Sequence, residues 1–63
     1  MELVNVDTKV WRETYLSVLI SQPDGRRLRW LPKKHVVAFV RDGHRTSLTM
    51  TRMSKAKFLD GWV

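Results

Sequence analysis

Leu16-Ser17-Val18-Leu19-Ile20-Ser21-Gln22-Pro23-Asp24-Gly25-Arg26-Arg27-Leu28-Arg29-Trp30-Leu31 sets two alternating, partly apolar runs on either side of a Pro-Asp-Gly turn. Proline presets φ and glycine accepts the positive φ that closes the loop, so the chain has a physical reason to reverse here. A second Asp-Gly, Asp42-Gly43, separates the β-branched run 35–40 from the alternating run 44–50. Two hairpins follow.

Working outward, the pattern predicts strands at 10–21, 26–31, 35–40 and 44–50, with an extra strand at 2–6. Alternation with period 2 puts Leu16, Val18 and Ile20 on one face, Leu28 with Trp30, and Leu48 with Met50, which makes those faces the expected core. The run 36–40 is apolar on both sides, as in a strand covered on two faces or placed at a subunit contact. A short C-terminal helix is expected with Ser54 as N-cap, Met53 before the cap and Phe58 at the spacing of a hydrophobic staple. Lys57 stands where a capping box has Glu or Gln, so no box is expected; Gly61 is placed to end the helix, with Trp62 just beyond. The rival reading makes 7–20 a helix capped by Asp7, with Val10, Trp11, Thr14 and Tyr15 on one face; Tyr15, Val18 and Ile20 weigh towards strand.

The expected fold is therefore mainly β: a small antiparallel barrel, SH3-like or OB-like, of four to five strands with a short C-terminal helix, or a curled sheet capped by that helix. No repeat or low-complexity linker divides residues 1–63, so one domain is expected. A chain of 63 residues buries only about 60% of its unfolded surface and has no cysteine to staple it, which makes a homodimer or a bound partner a natural completion of its core. Absence of cysteine fits a reducing cytoplasm. The longest apolar run, 36–40, is far short of a membrane span of about 20 residues, and Met1-Glu2-Leu3 is not the basic start of a signal peptide, so no membrane partner is expected.

Charge departs furthest from the ordinary. Residues 1–25 carry two cations and four acids, whereas 26–63 carry ten cations and two acids, a division of −2 against +8. A solubilising surface usually mixes signs, so this excess points to an acidic partner, with nucleic acid the commonest (DNA favoured, RNA open). Arg27, Arg29, Lys33, Lys34, Arg41 and Arg45 are the candidate phosphate contacts, lining one ridge of strand faces and nearby loops, with Lys55 and Lys57 as peripheral helpers. About five such contacts give a slope of log affinity against log salt of roughly −3.5 for single strands or −4.5 for duplex. Trp30 alternates into the expected core rather than joining the arginines as a stacking surface. Trp11, Tyr15, Trp62 and Phe39, the last read as facing outward, are the aromatics left to stack on bases, although packing is the commoner use of each.

Catalysis is not expected. No phosphate-binding glycine loop, dinucleotide fingerprint, zinc-protease or serine-hydrolase string occurs. Ser47, His44 and Asp42 lie too close together in one hairpin for a triad, and a zinc site would need both histidines plus Asp42 and Asp60. No metal or cofactor is expected.

Arg29-Trp30-Leu31-Pro32-Lys33-Lys34-His35-Val36 resembles the WLPK-type segment of small uncharacterised phage and prophage proteins, in which a hydrophobic strand leads into a Pro-Lys corner and a short helix follows near the C-terminus. Leu48-Thr49-Met50-Thr51 leading into 54–59 resembles that ending. The likeness spans residues 14–60, with Lys34 in place of the usual serine and Thr51 in place of proline. It implies a β-rich fold and an origin in a phage or mobile element, and it carries no activity. The function expected is noncatalytic nucleic-acid binding through an Arg/Lys ridge; the rival is a protein-interaction module or inhibitor docking on an acidic host protein through the same cations or through 36–40.

Overall fold

The computed structural model describes residues 2–43 and 45–62. Its longest strand, β1 (Leu3–Glu13), arises from an unbroken alternation in which Val4, Val6, Thr8 and Val10 turn inward while Asn5, Asp7 and Lys9 turn outward. Five antiparallel strands form one sheet: β1, β2 (Ser17–Ser21), β3 (Arg29–Pro32), β4 (Ala38–Asp42) and β5 (Arg45–Thr51), in the order β3-β2-β1-β5-β4. β1 holds it together, pairing through its first part with β5 and through its last part with β2. The register slips between these parts at Trp11, a bulge that bends the strand and returns Arg12 to the outer face. A helix, α1 (Arg52–Phe58), follows β5 directly. The mainly β class, antiparallel pairing and short C-terminal helix are as the sequence predicts; the ladders leave the sheet open between its edge strands β3 and β4.

The boundaries differ from the expected ones for local reasons. Residues 10–21 hold two strands, because Thr14 N–H donates to the Ser17 carbonyl at 2.8 Å and Thr14 Oγ1 accepts from Ser17 N–H at 3.0 Å, closing a turn that contains neither glycine nor proline. The segment proposed at 2–6 is the start of β1, and no helix forms over 7–20. The Pro23-Asp24-Gly25 turn closes as read, with Gly25 at φ +87° and its N–H on the Gln22 carbonyl. Arg27 at φ +61° cannot continue a strand, so β3 begins only at Arg29. Residues 33–35 form a 3-10 turn after the Pro32 corner, and β4 is an exposed edge strand rather than one covered on two faces. His44, expected to open the last strand, lies outside the described residues.

The core contains Val6, Val18, Ile20, Leu31, Leu48, Met50, Leu59 and Trp62. Val18, Ile20, Leu48 and Met50 are where alternation puts them. Leu16, Leu28 and Trp30 are not: the ladder sets Val18 against Leu31 and Leu19 against Trp30, so Leu31 is fully buried and Trp30 stands outside, half exposed. Thr51, not Ser54, caps α1, its Oγ1 accepting from Ser54 N–H at 3.1 Å, and Met53 is exposed, so no staple forms. The helix has no fully buried residue; Leu59 and Trp62 beyond it close the core, with Gly61 at φ +83° turning the chain so that Trp62 packs inward.

Candidate nucleic-acid interface

The six cations expected to form one ridge are dispersed. Glu13, at the end of β1 and facing inward opposite Val18, reaches across the opening between the sheet edges: its Oε2 lies 2.6 Å from Lys33 Nζ and its Oε1 2.8 Å from Arg41 Nη2. This clasp joins the 3-10 turn after β3 to β4. Hydrogen bonds from Lys33 first and Arg41 second, then the Lys33 charge, hold the Glu13 carboxyl below its ordinary pKa. Lys33 and Arg41 are thus already engaged with a carboxylate.

The others point different ways. Arg27 lies on the irregular approach to β3 with its guanidinium beside Gly61. Arg29 is paired with Ile20, whose own partner is Val10, and so belongs to the inner side of the sheet, whereas Arg45 is paired with Lys9 on the outer side. Two strands separate β3 from β5, so Arg29 and Arg45 do not meet. Lys34 sits exposed in the 3-10 turn, and Lys55 and Lys57 lie in the last turn of α1, with Lys57 Nζ 5.3 Å from the Phe58 ring centre. Elsewhere Arg26 pairs with Asp24 at 3.7 Å and Arg52 with Glu2 at 2.8 Å.

The structure instead brings together residues that lie apart in the sequence. Arg12, Leu19 and Trp30 are successive cross-strand partners on β1, β2 and β3, and therefore share the outer face. Trp11 lies on that face too, its Nε1–H donating to Ser21 Oγ at 2.8 Å, and the Ser21 hydroxyl in turn donates to the Gln22 carbonyl at 2.8 Å. Lys9 Nζ stands 4.6 Å from the Trp11 ring centre and Arg45 adjoins Lys9 across the β1–β5 ladder. Trp11 and Trp30 are each 50% exposed. None of the ion pairs among the described residues uses Lys9, Arg12 or Arg45. Asp7 and Asp42 are the acids of this face, both towards the β5–β4 side.

Of the other aromatics, Trp62 is buried, Tyr15 is exposed in the β1–β2 turn, and Phe39 faces inward as the partner of Leu48, contrary to the outward reading. His35 packs on Phe58 with ring centres 4.6 Å apart. The sequence pattern singles out Trp11 but not Lys9, Arg12 or Trp30, because local alternation sets the phase of 26–31 one residue out and the bulge at Trp11 leaves no compositional mark. The signal that was present is the alternation of Val4, Val6, Thr8 and Val10, which already sends Lys9 outward. Among the described residues no group of three or more His, Cys, Asp or Glu could hold a metal ion. Comparison with protein-family models, with curated proteins and with solved structures gives no match.

Proposed function

We propose that this chain binds single-stranded nucleic acid, without catalysis, on the outer face of β1-β2-β3. The observation that carries the reading is the pair of half-exposed indoles, Trp11 and Trp30, on one sheet face with Lys9, Arg12 and Arg45, which enter no ion pair among the described residues. Bases stack on such rings for about 1–3 kcal/mol each, and the cations take the phosphates. Two strand spacings, on the order of 10 Å, separate the indoles, enough for one base on each. The Lys9 ammonium over Trp11 is an exposed cation–π contact of about 0.5–1 kcal/mol, weaker than a stacked base, so it gives way and turns to phosphate. A duplex hides its base faces and has no use for the indoles.

Titration with labelled oligothymidylate, the matching RNA and a duplex at several salt concentrations tests this. Three phosphate contacts predict a single-strand salt slope of about −2, shallower than the ridge of five or more would give. Trp11→Ala and Trp30→Ala should each weaken single-strand binding by about 5- to 150-fold. DNA and RNA should bind alike, because neither ring nor cation reads a 2′-hydroxyl. Duplex binding as tight as single-strand binding, or indifference to both tryptophan substitutions, rejects the assignment.

A further inference from the structure

We propose that the free edge of β4 takes up an extended, acidic and apolar segment of a partner protein as a sixth strand, whose carboxylate replaces Glu13 at Lys33 and Arg41. The inference is independent of the stacking platform, which lies on the outer face of β1-β2-β3.

Among the described residues β4 is hydrogen-bonded in the sheet only to β5, so its other edge presents unpaired backbone groups, a template for strand addition. The two edges of the sheet are guarded unequally. β3 has four residues, starts at Arg29 and ends in Pro32, which has no N–H to offer. β4 has no proline and its Arg41 is drawn aside to Glu13. Val37, Phe39 and Val40 are 60%, 51% and 69% exposed. Phe39 faces inward and Val40 outward, so the apolar surface lies on both faces of the edge. A small ligand in the groove would cover Phe39 and leave Val40 bare; an added strand covers both.

Charge selects the segment. Beside β4 a cleft of about 350 Å³, lined by Val10, Val18, Val36, Phe39 and Leu48, has the clasp at its rim. Its size suits one or two apolar side chains pointing in from a strand. At the rim two cations share one carboxylate, and the side chains of Lys33 and Arg41 remain 33% and 51% exposed. An incoming glutamate or aspartate finds both donors within reach, with Glu13 occupying its place until then. A second copy of this chain is the poorer occupant, since each carries a net charge of +6.

The test uses the full chain, isotope-labelled, and an end-capped peptide of about seven residues in which valines fill the positions beside Phe39 and Val40 and a single glutamate falls on the inward face beside Arg41, with the same peptide carrying lysine in place of that glutamate as control. The acidic peptide should bind about tenfold or more tighter than the control, shifting and protecting the amides of β4 and leaving the Trp11 and Trp30 indole signals in place. Glu13→Gln, which withdraws the resident competitor, should tighten that binding, and Val40→Glu, on the exposed outer face, should weaken it. Oligothymidylate should produce the reverse pattern, moving the indoles and sparing β4, so either reading can fail alone. Equal binding of the two peptides, weaker binding to Glu13→Gln, amide shifts away from β4, or self-association of the free chain through β4 overturns the proposal.

Discussion

Glu13 shows how one side chain redirects a charge argument. By composition the C-terminal part of the chain is a nearly unopposed block of cations, yet this carboxylate from the acidic N-terminal part engages Lys33 and Arg41 at once. Its folded pKa lies below the ordinary 4.5, so the clasp contributes to stability in full above that value and loses its contribution as pH falls through the folded pKa. The melting temperature of the wild-type chain should therefore drop more steeply than that of Glu13→Gln as pH is lowered from about 6 to about 3. Parallel curves would show that the clasp adds nothing to stability. Lys33→Ala and Arg41→Ala should lower the acid sensitivity in the same sense, Lys33 more, because its hydrogen bond is the largest cause of the shift.

At the scale of elements, the helix start separates a sequence expectation from a structural one. Both Thr51 and Ser54 can cap, and only Arg52 and Met53 lie between them; the geometry gives the role to Thr51, whose extended backbone at φ −72°, ψ 154° is that of an N-cap. Thr51→Ala should cost about 1 kcal/mol, and Ser54→Ala clearly less, in chemical denaturation followed by far-ultraviolet circular dichroism. A larger loss from Ser54→Ala than from Thr51→Ala would mean that the helix starts where the sequence alone suggests. β1 offers a similar lesson. The Thr14–Ser17 turn that ends it, closed by side-chain and backbone hydrogen bonds rather than by glycine or proline, divides one apparent strand into two. The bulge at Trp11 puts Arg12 in line with Leu19 and Trp30, so an irregularity in one strand creates the row that the proposed binding face depends on.

For the whole molecule, the inner face of one open sheet and the plug of Leu59 and Trp62 supply the interior. Such a core leaves little margin, and a domain of this size has only about 3–5 kcal/mol to lose. Leu31→Ala, deleting a side chain with no exposed surface, should cost about 2–5 kcal/mol and come close to unfolding the chain, whereas Trp30→Ala, one residue away, should change the denaturation midpoint little. The opposite order would restore the alternation in which Trp30 was core. Because Trp30→Ala is the same variant that should abolish a stacking contact, a near-native melting curve with weakened oligonucleotide binding would separate the role of the surface from the integrity of the fold.

Local chemistry in the sequence was enough for the β class, the reversals at Pro23-Asp24-Gly25 and Asp42-Gly43, the Pro32 corner and the presence of a short C-terminal helix, because each depends on conformational preferences of neighbouring residues. It also supplied half of the core. The phase of residues 26–31 was not decided locally, since Leu28 with Trp30 and Arg29 with Leu31 are both plausible alternations; only pairing with Val18 sends Leu31 inward. The arrangement of the cations was equally out of reach, as Glu13 meets Lys33 and Arg41 across 20 and 28 residues of chain. Composition records how much charge a protein carries, and the register of its strands determines which charges meet a carboxylate and which are left for a partner.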